Sequence, residues 1–318
     1  MLNLSKDETL IKPIFIKEPF PLLICDDFIS KEECNLLIKD GKNASLKSIH
    51  KVMGGRFIIP WHSNVFSQLC KDSLIWRKFS KSMPKKVFDI FSEVSNKLID
   101  KNSFYKKYIK NKKFYFVEGL YTLSKKILSK NLYRSYKKGL DIPIRIMPFY
   151  SLVFYSLFGF IDSNFRRLRS LFDFVVGRIP LVPLFDYSIS YEGYTREIHR
   201  DTDSRVFVCL LYLNELEGAK DKDLGGSLEI FEQINNHKYF VPQPDSSQVR
   251  KIANIEPKAG RLVVFFNPSN SYHAVSKMQY QKNGRHIVYG GFSLQSSIGS
   301  AARFRSKGKL PTNYLIYR

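Results

Sequence analysis

The chain has 318 residues, with 51 Lys and Arg against 29 Asp and Glu, for a formal net charge of +22. That length suffices for one large domain or two small ones with a real buried core. The four cysteines (Cys25, Cys34, Cys70, Cys209) are scattered, which excludes a paired-thiolate zinc site and suits a reduced, cytoplasmic setting.

Met1 to Lys17 holds no continuous apolar run, so no secretory signal is expected. Ile14 to Asp27 reads as a strand. Ser30-Lys31-Glu32-Glu33 is a capping box that opens a helix through Cys34, Leu36 and Leu37. Phe57 to Trp61 is a short β-like piece, and Leu74 to Phe91 has helical spacing. Residues 1–83 are therefore expected to brace a core that lies further on.

Residues 84–177 read differently. Between 84 and 145 there are 16 Lys and Arg against 5 Asp and Glu, an excess equal to half the net charge of the chain. Tyr105 to Phe116 interleaves bases with aromatic residues, and Ile146 to Ile161 is uncharged and apolar. Helical spacing in Val87/Phe91/Val94/Leu98, Val117/Leu120/Leu123/Ile127 and Leu168/Leu171/Val175 gives three or four helices. Such a basic, aromatic-rich helical insert fits a solvated face on a substrate-covering lid, an anionic membrane surface, or nucleic acid. The apolar run is shorter than the roughly 20 residues a membrane span needs and contains Pro148 and Gly159. No transmembrane span is expected, and location is read as cytoplasmic, with peripheral membrane association as the alternative.

From residue 178 to 299 the pattern is short strands punctuated by Gly, Pro and Asn, which reads as a sandwich or barrel. Its pieces are Tyr187 to Tyr191, Arg205 to Asn214, Gly225 to Phe231, Ile255 to Phe266 and Arg285 to Phe292. Within it lies His199-Arg200-Asp201. Residues two apart on a strand face the same way, so His199 and Asp201 can present an imidazole and a carboxylate to one metal ion. His273 would complete two histidines and one carboxylate, the set that leaves coordination positions open in non-haem Fe(II) oxygenases. Arg285 adds a fixed guanidinium fork suited to a carboxylate. Residues 300–318 form a basic tail.

These pieces fall in a familiar order: His199-x-Asp201, Tyr212-Leu213-Asn214, Gly225-Gly226-x-Leu228-x-Ile230-Phe231, Ile255-Glu256-Pro257, Gly260-Arg261-Leu262, His273-x-Val275 and Arg285. From about Leu184 to Leu294 the chain resembles the prolyl 4-hydroxylase branch of the Fe(II)/2-oxoglutarate dioxygenases. The resemblance implies a mainly β, double-stranded β-helix (jelly roll, cupin-like) core with N-terminal supporting helices. It further implies Fe(II) on His199, Asp201 and His273, and 2-oxoglutarate at Arg285 and Tyr212, with Tyr191 as a further residue of that pocket. O2 would be the oxidant, with ascorbate as a reductant. No catalytic residue is expected beyond the metal centre. Two departures stand out: a long connection from Lys277 to Gly284, and Gly291 where related proteins often carry a bulky aromatic residue.

The expected reaction is hydroxylation of an unactivated C–H bond with decarboxylation of 2-oxoglutarate to succinate and CO2. A peptide or protein, a small metabolite, a glycan or a lipid could be the substrate. The alternative is a non-catalytic binding module on the same fold, working through its basic insert.

Overall fold

The computed structural model describes residues 13–45, 50–52, 55–61, 63–98, 114–116, 179–201, 205–217, 224–234, 243–267 and 270–294. Most of the expected insert, its later helices and the basic tail lie outside the described residues. So do most of the bases and aromatic residues on which the membrane and nucleic-acid expectations rest.

The N-terminal strand expected over Ile14 to Asp27 is a hairpin of β1 (Ile14–Ile16) and β2 (Leu22–Cys25). Pro19 and Pro21 fall in its connection, where the missing N–H groups cost no ladder bond. α1 (Lys31–Ser45) starts at the expected box: Glu33 N–H donates to Ser30 Oγ at 3.1 Å and Ser30 N–H to Glu33 Oε2 at 3.1 Å. There follow β3 (His50–Val52), β4 (Arg56–Pro60) and α2 (Asn64–Asp72), whose cap Ser63 accepts from Phe66 N–H at 3.1 Å. α3 (Leu74–Leu98) outlasts the expected helix and runs through Pro84 and across residue 84, where the insert was expected to begin. Buried Phe79, Met83 and Val87 lie on either side of that proline. Their burial offsets the roughly 3 kcal/mol an interior proline costs.

The remaining strands are β5 (Phe114–Phe116), β6 (Ile179–Ser190), β7 (Arg196–His199), β8 (Arg205–Tyr212), β9 (Leu228–Gln233), β10 (Val249–Ile255), β11 (Leu262–Phe266), β12 (His273–Val275) and β13 (Arg285–Leu294). A large sheet has the order β1-β2-β11-β8-β13-β6-β4-β3, with β5 beside β6, and a small one has the order β10-β9-β12-β7. β5 pairs with β6 in parallel, so a strand stands where the sequence suggested only helices.

Period-two alternation assigns the two faces of the large sheet. Phe207, Cys209 and Leu211 of β8, and Leu262, Val264 and Phe266 of β11, join Trp76, Phe79 and Leu37 of the helices in one core. Their neighbours Val208, Leu210, Val263 and Phe265 point the other way and pack against Leu228, Ile230 and Ile255 of the small sheet. The result is the double-stranded β-helix expected from the sequence, with α1–α3 bracing its outer face.

The inner face changes character along β6 and β13. Phe185, Tyr187 and Ile189 belong to the helix-side core, so Asp186, Ser188 and Ser190 face inward. Arg285 lies opposite Ser190, Ile287 opposite Ser188 and Tyr289 opposite Asp186. The site is built on this polar half.

Candidate metal centre and co-substrate pocket

β7 ends at His199 and β12 begins at His273, and the two are direct partners in the ladder. Their rings are 4.4 Å apart between centroids, and Phe265 meets the His273 ring edge-on at 5.0 Å. The strand stops at His199, so Asp201 stands just beyond it rather than on it, differing from the single strand the sequence suggested. Asp201 still faces the same way, with Oδ1 3.9 Å from His199 Nε2. One ligand atom from each of His199, Asp201 and His273 lies within 4.8 Å of the others.

Both imidazoles are set as donors of an Nε2 lone pair. His199 Nδ1 is 2.8 Å from the Glu197 carbonyl and His273 Nδ1 is 2.8 Å from the Ser271 carbonyl. A carbonyl only accepts, so Nδ1 carries the proton and Nε2 the lone pair; that of His199 lies 3.5 Å from Arg196 Nε, a long bond a metal ion would replace. Burial, aided by His273, lowers the His199 pKa to about 4, and burial lowers that of His273 too, so both rings are neutral near pH 7. For Asp201 burial acts against ionisation. Arg205, His273 and His199 outweigh it, and with the Tyr289 hydrogen bond they hold the carboxyl at about 2. Two neutral imidazoles and one carboxylate are a donor set for a divalent transition metal.

Arg285 opens β13 and is 1% exposed. Its Nη1 donates to the Gly226 carbonyl, and its guanidinium lies 5.3 Å from the centre of the Tyr194 ring. Gly226 sits at φ +72, and a Cβ there would lie 3.5 Å from Arg285 Cδ. Among the described residues no Asp or Glu pairs with this cation, and burial pushes its pKa down. Arg285 Nε, Tyr212 Oη and Ser190 Oγ are buried without hydrogen-bond partners. A buried cation beside orphaned donors calls for an anion carrying several acceptor oxygens. Burial raises the Tyr212 pKa to about 12, which keeps its hydroxyl a donor.

Residues 186–292 match the family model of the 2OG-Fe(II) oxygenase superfamily. That match spans about a third of the chain and takes in both histidines, Asp201 and Arg285. The matched family is one of oxidoreductases, and it implies Fe(II), 2-oxoglutarate and O2. Among solved structures, a prolyl 4-hydroxylase from Pseudomonas putida is 13% identical, with a TM-score of 0.37, over 87% of this chain and 95% of that one. A prolyl hydroxylase from Trichoplax adhaerens, solved with a hypoxia inducible factor peptide fragment, is 12% identical, with a TM-score of 0.40, over 88% and 86%. Prolyl 4-hydroxylases from Phytophthora capsici give 14% and 0.33, over 87% and 60%. No curated protein matches the sequence.

Of the residues singled out in the sequence, His199, Asp201 and His273 converge, and Arg285 and Tyr212 are brought close enough to interact electrostatically. Tyr191 is not joined to them by any described contact. It follows the end of β6, is 36% exposed and packs edge-on against Phe57 at 5.8 Å. Tyr194, Ser190, Arg205 and Tyr289 were not anticipated. Parity carries the signal for two of them: Ser190 alternates with Ile189, and Tyr289 is four residues from Arg285 on one strand. His286 faces away from Arg285, as expected, and its Nδ1 accepts from the buried Tyr187 hydroxyl at 2.7 Å.

The long connection after β12 is anchored. Met278 N–H donates to the Tyr194 carbonyl at 2.9 Å, and Gln281 Oε1 accepts from Glu217 N–H at 2.9 Å. Gly291 has φ +153, and a Cβ there would lie 2.0 Å from the Phe207 carbonyl oxygen. The backbone itself excludes a side chain at this position. Among the described residues no helix is long and apolar enough to cross a membrane.

Proposed function

We propose that this protein is a 2-oxoglutarate-dependent hydroxylase that holds Fe(II) through His199 Nε2, Asp201 Oδ1 and His273 Nε2. The observation that carries the reading is the convergence of these three groups within 4.8 Å, on the core that matches the superfamily. The donor set fits the ion: both imidazoles are neutral with Nδ1 occupied, and the carboxyl is ionised. Arg285, Tyr212 and Ser190 would receive the distal carboxylate of 2-oxoglutarate, which would satisfy their orphaned groups. Tyr194 would hold the guanidinium over its ring.

When bound, Fe(II), 2-oxoglutarate and O2 supply the oxidising power for hydroxylating an unactivated C–H bond, with succinate and CO2 as co-products. The protein's own part is to orient donors, exclude water and present the carbon. Ascorbate belongs to the same reading, as a reductant that keeps the iron ferrous. Peptidyl proline is the substrate class that the motif order supports. The bare wall at Gly291 supports a pocket rebuilt for another shape, in which a metabolite, glycan or lipid would be hydroxylated by the same chemistry.

The test is Fe(II)-dependent conversion of 2-oxoglutarate to succinate under air, in wild type and His273→Ala. Turnover in the wild type alone supports the proposal. Equal turnover in the variant sinks the ligand assignment.

A further inference from the structure

Tyr289 is the third inward residue of β13, two positions past Ile287, and lies beside the carboxylate of the candidate centre. Its Oη is 3.1 Å from Asp201 Oδ1 and 3.0 Å from Oδ2. Arg205, the first residue of β8, donates from Nη1 to Asp201 Oδ2 at 3.0 Å and to Tyr289 Oη at 2.5 Å. The proton order is unambiguous: guanidinium N–H groups only donate, the phenol accepts one of them, and its single O–H goes to the carboxylate.

Arg205 makes the two oxygens of Asp201 unequal, while the Tyr289 hydroxyl is within reach of both. Oδ1 faces His199 Nε2 at 3.9 Å, on the side of the two imidazoles. Oδ2 takes the charge-assisted bond from Arg205. The phenol is itself held, because Arg56 and Arg205 place their guanidinium carbons 4.9 and 5.0 Å from its ring centre. Arg56 is anchored in turn by Ser188 Oγ, which accepts from Nη2 at 2.8 Å and Nε at 3.2 Å. Strands β4, β6, β8 and β13 thus all contribute to the position of one carboxylate.

We propose that Arg205, oriented by Tyr289, is a positioning residue that makes Asp201 a one-oxygen ligand, presenting Oδ1 to the metal and tethering Oδ2 away from it. The proposal rests on the iron reading above. A carboxylate can bind a cation through one oxygen or two. An untethered Oδ2 could swing in and take a coordination position that the co-substrate needs. The clamp would therefore protect 2-oxoglutarate binding more than iron binding. A merely structural role, burying Asp201 neutralised by Arg205, would instead show itself in stability.

The experiment uses the full chain, anaerobic, loaded with Fe(II), and titrated with 2-oxoglutarate while the visible charge-transfer band of the chelate is followed. Tyr289→Phe keeps the ring and removes only the hydroxyl. Arg205→Met removes the fork, and Arg205→Lys keeps the charge without it. The 2-oxoglutarate midpoint is expected to rise ~10-fold in Tyr289→Phe and up to ~100-fold in Arg205→Met, the range typical for groups that orient metal ligands. Arg205→Lys is expected to lie between wild type and Arg205→Met, and one equivalent of Fe(II) to be retained in every variant. If Arg205→Met does not fold, Tyr289→Phe alone carries the test. Midpoints within twofold of wild type in folded, iron-loaded variants would overturn the clamp. So would midpoints that shift only in step with loss of thermal stability. Wild-type protein that takes up no Fe(II) would overturn the iron reading itself, an outcome distinct from iron uptake with unchanged midpoints.

Discussion

The inner face of the large sheet has two halves made by the same alternation and put to opposite uses. Over β2, β11 and β8 the inward residues are Leu22, Val263, Phe265, Val208 and Leu210, all buried and packed on the small sheet. Over β13, β6 and β4 they include Arg285, Tyr289, Ser190, Ser188, Asp186 and Arg56. The first half stabilises the roll, each large side chain contributing about 1.5–3 kcal/mol. The second half carries orphaned donors at Arg285 and Ser190, with Arg205 and Tyr212 bordering it from the two ends of β8, each costing about 1–3 kcal/mol unless a ligand or water meets it. The apolar half holds the polar half in a state it would not keep alone, so stability and function are separable by position on one surface.

That separation can be broken deliberately. Asp201→Ala removes a ligand, so turnover is expected to fall by more than ~100-fold; it also leaves buried Arg205 without its carboxylate, so a loss of thermal stability is expected with it. Turnover that fell only in proportion to the folded fraction would show that the halves are not separable. Phe265→Ala is the counterpart. It should cost about 3–5 kcal/mol in denaturant unfolding, with a further effect on iron because the ring braces His273.

Arg285→Ala should weaken 2-oxoglutarate binding by about 2–5 kcal/mol while Fe(II) uptake by the triad persists. Iron and co-substrate titrations of one sample separate the two. A gain in stability of the ligand-free protein is expected alongside, since a buried unpaired cation is removed.

The smallest effect sharpens the contrast from the far side of the sheet. His286 is buried on the helix side, accepts from Tyr187 Oη and sits 2.8 Å from the Asn283 carbonyl through Nε2. Burial, with a lesser push from Lys42, lowers its pKa to about 4, so the folded state keeps it neutral. The unfolded chain takes up that proton nearer pH 6.5. The stability this represents is whole above pH 6.5 and is lost as pH falls toward 4, with stability rising with pH between the two. Unfolding free energies across that window should flatten in His286→Gln. The histidines of the triad add the same sign in the metal-free protein.

What could be read from the sequence follows the same division. The convergence of His199, Asp201 and His273 was legible because metal ligands need certain residue types at strand spacing, whereas Tyr212 entered only through the resemblance to a known family. The capping box at Ser30 and the strand series after residue 178 were legible from local chemistry. Tyr191 stood out by type and neighbourhood. Parity sets it apart, since the inward residues of β6 are Asp186, Ser188 and Ser190, and Tyr191 follows on the other side. The clamp on Asp201 was not legible. Arg56 meets Tyr289 only because β4 pairs with β6 and β6 with β13, a sheet order no local pattern encodes. α2 escaped because it is a single short run between two longer features.

The measurement that bears most directly on the account is the anaerobic addition of Fe(II) and then 2-oxoglutarate to the purified protein. A weak, saturable visible band that is lost in His273→Ala and needs far more 2-oxoglutarate in Arg285→Ala is the predicted result. Folded protein that shows no band with both added, or a band indifferent to His273, would contradict it.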